Sequence, residues 1–138
     1  MTRRTLLLVP FAARLVADSP QEVWDLFASM ASALSEANAI VFMNAFEPAM
    51  PGYEALRAGV TALLSEAEVQ SSIELVDDEG DDRNRTVELD WLVHIVDRQD
   101  GAVAERRRES VKCHVEKSGQ KWRIASLEPI EFFAPPRM

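Results

Sequence analysis

The run from Thr86 to Asp97 limits this chain most. Val87, Leu89, Trp91, Val93 and Ile95 alternate there with Glu88, Asp90, Leu92, His94 and Val96. Side chains two apart share one face of a strand, so the odd positions face a core and the even positions look away. The β-branched and aromatic residues suit such a half-buried pleated surface. Asp100-Gly101 follows as a hairpin signal. With Asp100, Gly101 and Ala102 as the loop, Ile95 stands opposite Arg107, Val93 opposite Glu109, Trp91 opposite Val111 and Leu89 opposite Cys113. On the other face Glu88 then meets His114 and Asp90 meets Lys112, which are favourable cross-strand pairs. A slip of one residue would reverse every side chain.

Lys117-Ser118-Gly119-Gln120 is the next turn. It returns Trp122 beside Val115, Ile124 beside Cys113, and Glu128 beside Glu109. The segment Glu128–Phe133 is expected to prolong this last strand past Pro129, as an edge or a bulge allows. A further strand over Val69–Val76 precedes the meander.

Upstream the apolar period changes to that of helices. Ser19-Pro20-Gln21-Glu22 reads as a helix start, with Ser19 as the cap and Glu22 completing a capping box. Val23, Phe27, Met30, Ala31 and Leu34 form its stripe, with Trp24 beside them. Asn38 caps a short apolar second helix, expected to be well buried. Tyr53–Ala67 reads as a third, with Leu56, Val60, Leu63 and Leu64 inward. Helices followed by strands indicate an α+β fold.

With 138 residues the chain is long enough for one domain with a real core. A net charge of -8 argues against nucleic acid as a partner. The acidic stretch Asp77–Asp82 reads as a solvated hairpin loop; EF-hand spacing is absent, and no metal or cofactor is expected. Cys113, the single cysteine, falls on the apolar face and reads as a buried thiol. Residues 1–17 read as an export signal or an N-terminal arm, ahead of one domain over 18–138. Thr2-Arg3-Arg4-Thr5-Leu6-Leu7 resembles a twin-arginine leader, which points to the periplasm, the alternative being the cytoplasm. No stretch is long enough to span a bilayer.

Three helices followed by an antiparallel sheet resemble the nuclear transport factor 2-like superfamily. The resemblance rests on the capped first helix, on Phe46-Glu47-Pro48-Ala49-Met50-Pro51-Gly52-Tyr53, and on Gly119-Gln120-Lys121-Trp122-Arg123-Ile124. It looks like an uncharacterised exported bacterial subgroup. The resemblance implies a cystatin-like cone: three N-terminal helices in the concave face of a strongly curved antiparallel sheet, with a pocket at the open end. It also implies a homodimer through the outer sheet face, where Leu92, Val96 and Leu127 stand among charges. Ketosteroid isomerase, scytalone dehydratase and polyketide cyclases share the fold, but no catalytic set carries over onto this chain. Tyr53 is the only tyrosine, and His94 and His114 fall on the outer face by parity.

Arg107, Glu109 and Glu128 are the candidate site. Facing inward together, they would put a cation and two carboxylates at the cone's mouth, where one carboxylate could act as a general base. A satisfied ion-pair cluster is the structural alternative. Trp24, Phe46, Tyr53 and Trp91 would wall the pocket for an apolar or weakly anionic small molecule, or else fill the core. Three functions stay open: a small-ligand-binding domain, an enzyme of the isomerase, dehydratase or cyclase type with Glu109 or Glu128 as base, and a dimeric interaction module with a filled cone.

Overall fold

A computed structural model describes residues 2–136, the side chains of residues 2–18 excepted. The leader reading of residues 1–17 rests on side chains outside the described ones. Helices α1 (Thr2–Ser35), α2 (Ala39–Met43) and α3 (Tyr53–Glu66) precede strands β1 (Glu68–Gly80), β2 (Asn84–Val96), β3 (Val103–Ser118) and β4 (Lys121–Glu128), and a 3-10 helix, Ile130–Phe133, closes the fold. The strands form one antiparallel meander in the order β1-β2-β3-β4. This is the α+β arrangement expected, with the helices against one face of the sheet.

The alternation of β2 sets that face. Val87, Leu89, Trp91, Val93 and Ile95 are all buried, and with Val111, Cys113 and Val115 of β3 they meet Phe27, Leu34, Phe42, Leu56 and Leu63 from the helices. The stripe of α3 is Leu56, Val60, Leu63 and Leu64, as its periodicity predicts. Asn38 caps α2, its side chain accepting from the Val41 N–H at 3.1 Å. Where α2 ends, Phe46 bridges to Ile124. Glu47 N–H donates to the Ile124 carbonyl at 2.9 Å and Ile124 N–H to Ala45 at 2.8 Å, which covers the free edge of β4.

Five expectations are corrected. First, α1 does not begin at Ser19: the helix is continuous from Thr2, and the Ser19 hydroxyl donates to Asp82 Oδ1 at 3.0 Å. Second, α2 is not well buried, since Ile40 is 76% exposed. Third, β1 runs on through Asp77–Gly80, so most of the acidic stretch is strand. Asp78 there pairs with Arg85 at 2.7 Å, and Asp81 caps the turn through the N–H groups of Arg83 and Asn84. Those two bonds hold the Asp81 carboxyl below the usual carboxylate range.

The fourth correction is one of register. Trp91 lies opposite Glu109, Leu89 opposite Val111 and Val93 opposite Arg107. The connection spans Asp97–Ala102, with Gly101 N–H donating to the Asp97 carbonyl, and Ala104 is the extra residue of a bulge between Ile95 and Val96. The slip is of two residues, so every face is kept.

The fifth is a reversal of faces in β4. His114 pairs with Ser126 but Val115 with Ile124, so Ala125 is bulged. Beyond it the parity changes sides: Leu127 is buried and Glu128 exposed. The chain then leaves the sheet at Pro129 and coils into the 3-10 helix, where a continued strand was expected.

Candidate functional site

β4 accompanies β3 only as far as the pair Lys112 and Glu128, whereas β3 reaches back to Val103. The β4-side edge of β3 from Val103 to Val111 is therefore bare of ladder partners. Folded over this end of the sheet is the tail, Ile130–Pro136, and what it meets there is Arg107.

Arg107 faces inward and only 11% of its side chain is exposed. Its Nε donates to Glu105 Oε2 at 2.7 Å and its Nη2 to Glu105 Oε1 at 3.3 Å. Nη1 donates to the carbonyls of Phe132 at 2.9 Å and Ala134 at 2.6 Å, and Nη2 to that of Pro135 at 2.9 Å. A guanidinium carries five N–H groups, and these bonds use them all. Beside this clasp a cleft of about 530 Å³ opens, reached by Arg107, Glu109, Pro129, Glu131 and Pro135.

Behind the clasp the cone is filled. Phe133 is fully buried, with ring centroids 5.2 Å from Phe42, 5.2 Å from Trp91 and 5.1 Å from Phe132, all near edge-to-face. Phe42 and Phe46 follow at 5.4 Å. The Trp91 indole N–H donates to Ser71 Oγ at 2.8 Å. Among the described residues no buried side-chain nitrogen or oxygen lacks a hydrogen-bond partner.

The expected site residues are thus dispersed. Arg107 and Glu109 share the mouth, Glu109 exposed and opposite Trp91. Glu128 stands on the outer face opposite Lys112, turned there by the Ala125 bulge, so the paired carboxylates are not formed. Phe46 and Trp91 are core residues and Trp24 is half-buried against the core. Tyr53 borders a separate cleft of about 240 Å³ between α2 and α3, with Ile40 and Arg57.

Two contributors escaped the sequence reading. Phe133 lies in the 3-10 helix and not in a continued strand, and the apolar pair after Pro129 is the one signal that the tail turns inward. Arg98 was a loop residue, yet its guanidinium donates to the carbonyls of Leu64 at 2.6 Å, Ser65 at 3.0 Å and Ala67 at 3.2 Å. A cation there satisfies the open carbonyls of α3 and faces the negative end of its dipole.

Burial pushes the Cys113 thiol far up, away from the thiolate. In native protein it is expected to react with an aromatic disulfide reagent no faster than the fold opens globally. Labelling that outruns unfolding measured in parallel would show the core open at β3.

No protein-family model matches the sequence, and no curated protein matches it. Solved structures do match. A protein of unknown function with a cystatin-like fold from Nostoc punctiforme has a TM-score of 0.62 at 22% identity, over 78% of this chain and 86% of that one. A nuclear transport factor 2-like superfamily protein from Salmonella enterica has a TM-score of 0.62 at 13% identity, over 80% and 89%. A similar protein of unknown function from Shewanella oneidensis has a TM-score of 0.61 at 11% identity, over 78% and 95%. The chain has the nuclear transport factor 2-like cone fold. Identities this low establish the architecture of the cone and leave its chemistry to the residues described above. No helix among the described residues is long and apolar enough to cross a membrane.

Proposed function

We propose that this cone domain is a binding protein for a small apolar or weakly anionic molecule, received at the wide end around Arg107. The observation that carries the reading is the cleft of about 530 Å³ that reaches both Arg107 and Glu109. It joins the Arg107 cation to Pro129, Phe132 and Pro135, with the carboxylates of Glu105, Glu109 and Glu131 also on its lining. Native mass spectrometry of protein purified from its own source tests this. A retained small molecule of discrete mass is expected, and the bare chain alone would count against it.

A second reading, a dimeric interaction module, is favoured by the aromatic packing that fills the cone. Its dimer would use the outer face of the sheet. Of the apolar residues expected there, Val96 and Leu127 are buried within the fold and Leu92 remains. The face is otherwise polar, with Glu74, Glu88 and Asp90 on β1 and β2 and Arg106, Arg108 and Lys112 on β3. A two-fold axis along the sheet would set the basic strand of one copy against the acidic strands of the other. Within one chain Arg108 already pairs with Asp90 at 2.6 Å, a hydrogen bond that holds the Asp90 carboxyl below its ordinary range. Sedimentation equilibrium is expected to give a dimer at micromolar concentration in low salt, weakened by Arg108→Glu and by added salt. A monomer under both salt conditions would rule this interface out.

Export belongs to the same reading. Residues 1–17 are the leader, and N-terminal sequencing of the mature protein should begin near Asp18. A mature chain that keeps Arg3 and Arg4 would refute this.

A further inference from the structure

We propose that the tail Ile130–Pro136 is a displaceable plug, and that the site beneath it takes an aryl carboxylate. This rests on the small-molecule reading above and names both its ligand class and its gate.

The tail is attached in a way that lets it leave. Among the described residues it makes no backbone pair with any strand: the Phe132 and Ala134 N–H groups are spent locally, on the carbonyls of Pro129 and Glu131. Its hold on the cone is made of side-chain packing and one clasp. Phe133 sits between Phe42 and Trp91, Phe132 is buried beside it, and Ile130 packs against the core at Gly52. The clasp is the row of three carbonyls on Arg107. Withdrawal would therefore break no rung of the sheet. It would leave an aromatic slot with a guanidinium at its mouth, still oriented by Glu105 through Nε.

Two glycines mark the seat. A Cβ on Gly59 of α3 would meet the Phe133 carbonyl at 3.4 Å, and one on Gly52, where φ is +81°, would meet the Ile130 side chain. The tail thus lies in van der Waals contact with α3 at Gly59, and the Ile130 side chain occupies the space at Gly52.

What the segment presents defines the ligand. Phe133 offers a phenyl ring, and Phe132, Ala134 and Pro135 offer oxygen acceptors on the same side. Along the covalent chain, the Cβ, Cα and N of Phe133 separate its ring from the Phe132 carbonyl carbon. A phenyl ring joined to a carboxylate through three methylenes reproduces that spacing. It also supplies a charged, two-oxygen acceptor in place of the three neutral carbonyls that Arg107 holds beside its Glu105 pair, and a bond to a charged acceptor is the stronger kind. The affinity seen from outside is reduced by the fraction of time the plug is in place.

The test uses the full chain and 4-phenylbutyrate, with 4-phenyl-1-butanol as the uncharged control. Binding is followed by calorimetry and tail opening by hydrogen exchange. At saturating 4-phenylbutyrate the amides of Phe132–Ala134 are expected to exchange about tenfold faster while those of β2 do not change, and the alcohol should bind at least roughly tenfold more weakly. Phe133→Ala should tighten 4-phenylbutyrate binding; should that variant not fold, the exchange measurement on the native sequence decides. Binding with tail exchange unchanged or slowed would overturn the plug and leave the small-molecule reading intact. Equal affinity for acid and alcohol would overturn the role of Arg107. No binding of 4-phenylbutyrate to either chain would overturn the proposal, whereas the reading beneath it stands or falls on the retained molecule sought by native mass spectrometry.

Discussion

Trp91→Ala is expected to lower the unfolding free energy by roughly 3–5 kcal/mol, a large share of what a domain this size possesses. Trp91 has no exposed surface and is the largest of the fully buried side chains. Its removal would empty the wall against which Phe133 packs at 5.2 Å. The neighbours come from three separate places in the chain, β1, β3 and the tail, so the gap cannot collapse by moving one of them. The indole N–H adds a second, separable cost. Ser71→Ala leaves the ring in place and strips the indole of its partner at 2.8 Å. That change should cost about 1–2 kcal/mol, because Ser71 is near enough to the edge for water to replace part of the bond. Urea denaturation with an unchanged m-value would measure both. A Trp91→Ala loss below that of Ser71→Ala would mean that the ring is not in the core.

The same residue shows what alternation in a sequence can and cannot carry. Trp91, Val93 and Ile95 were assigned to the core because hydrophobic parity in a strand has one free choice, and the apolar residues of β2 fix it. Register is a finer quantity. The connection takes six residues, Asp97–Ala102, where three were expected, and the Ala104 bulge gives one place back, so β3 slides by two, which no pattern of faces can detect, since a slip of two returns each side chain to its own side. In β4 one extra residue, Ala125, was enough to exchange the sides of Leu127 and Glu128. Ala125 is a small residue with no turn chemistry, and nothing in Lys121–Glu128 announces it. Both the carboxylate pair and the place of Leu127 in the dimer face depended on that parity, and both changed with it. Arg107 kept its face because it lies on β3 beyond the Ala104 bulge, where the alternation with β2 runs unbroken. Its partners in the tail were not legible, since they are backbone carbonyls, and a carbonyl has no letter in a sequence.

Arg107→Met should release the tail. Methionine conserves most of the apolar stem and removes the fork, so the change isolates the hydrogen bonds. Three tail carbonyls lose their donor and Glu105 loses a bidentate pairing. Removing one partner of a nearly buried, charged and multiply bonded group costs roughly 2–4 kcal/mol here, less than for a fully buried pair because water reaches the carbonyls through the adjoining cleft. Arg107→Lys separates charge from geometry. An ammonium keeps the charge near Glu105 but, as a compact donor on a flexible stem, cannot reach Phe132, Ala134 and Pro135 together from a plane. The lysine variant should therefore recover less than half of the loss. Hydrogen exchange supplies the readout that a general loss of stability does not move selectively: Phe132–Ala134 should quicken by more than β2 and β3 do. If lysine restores wild-type stability and tail protection, the guanidinium acts as a point charge only, and the clasp is not what holds the cone shut.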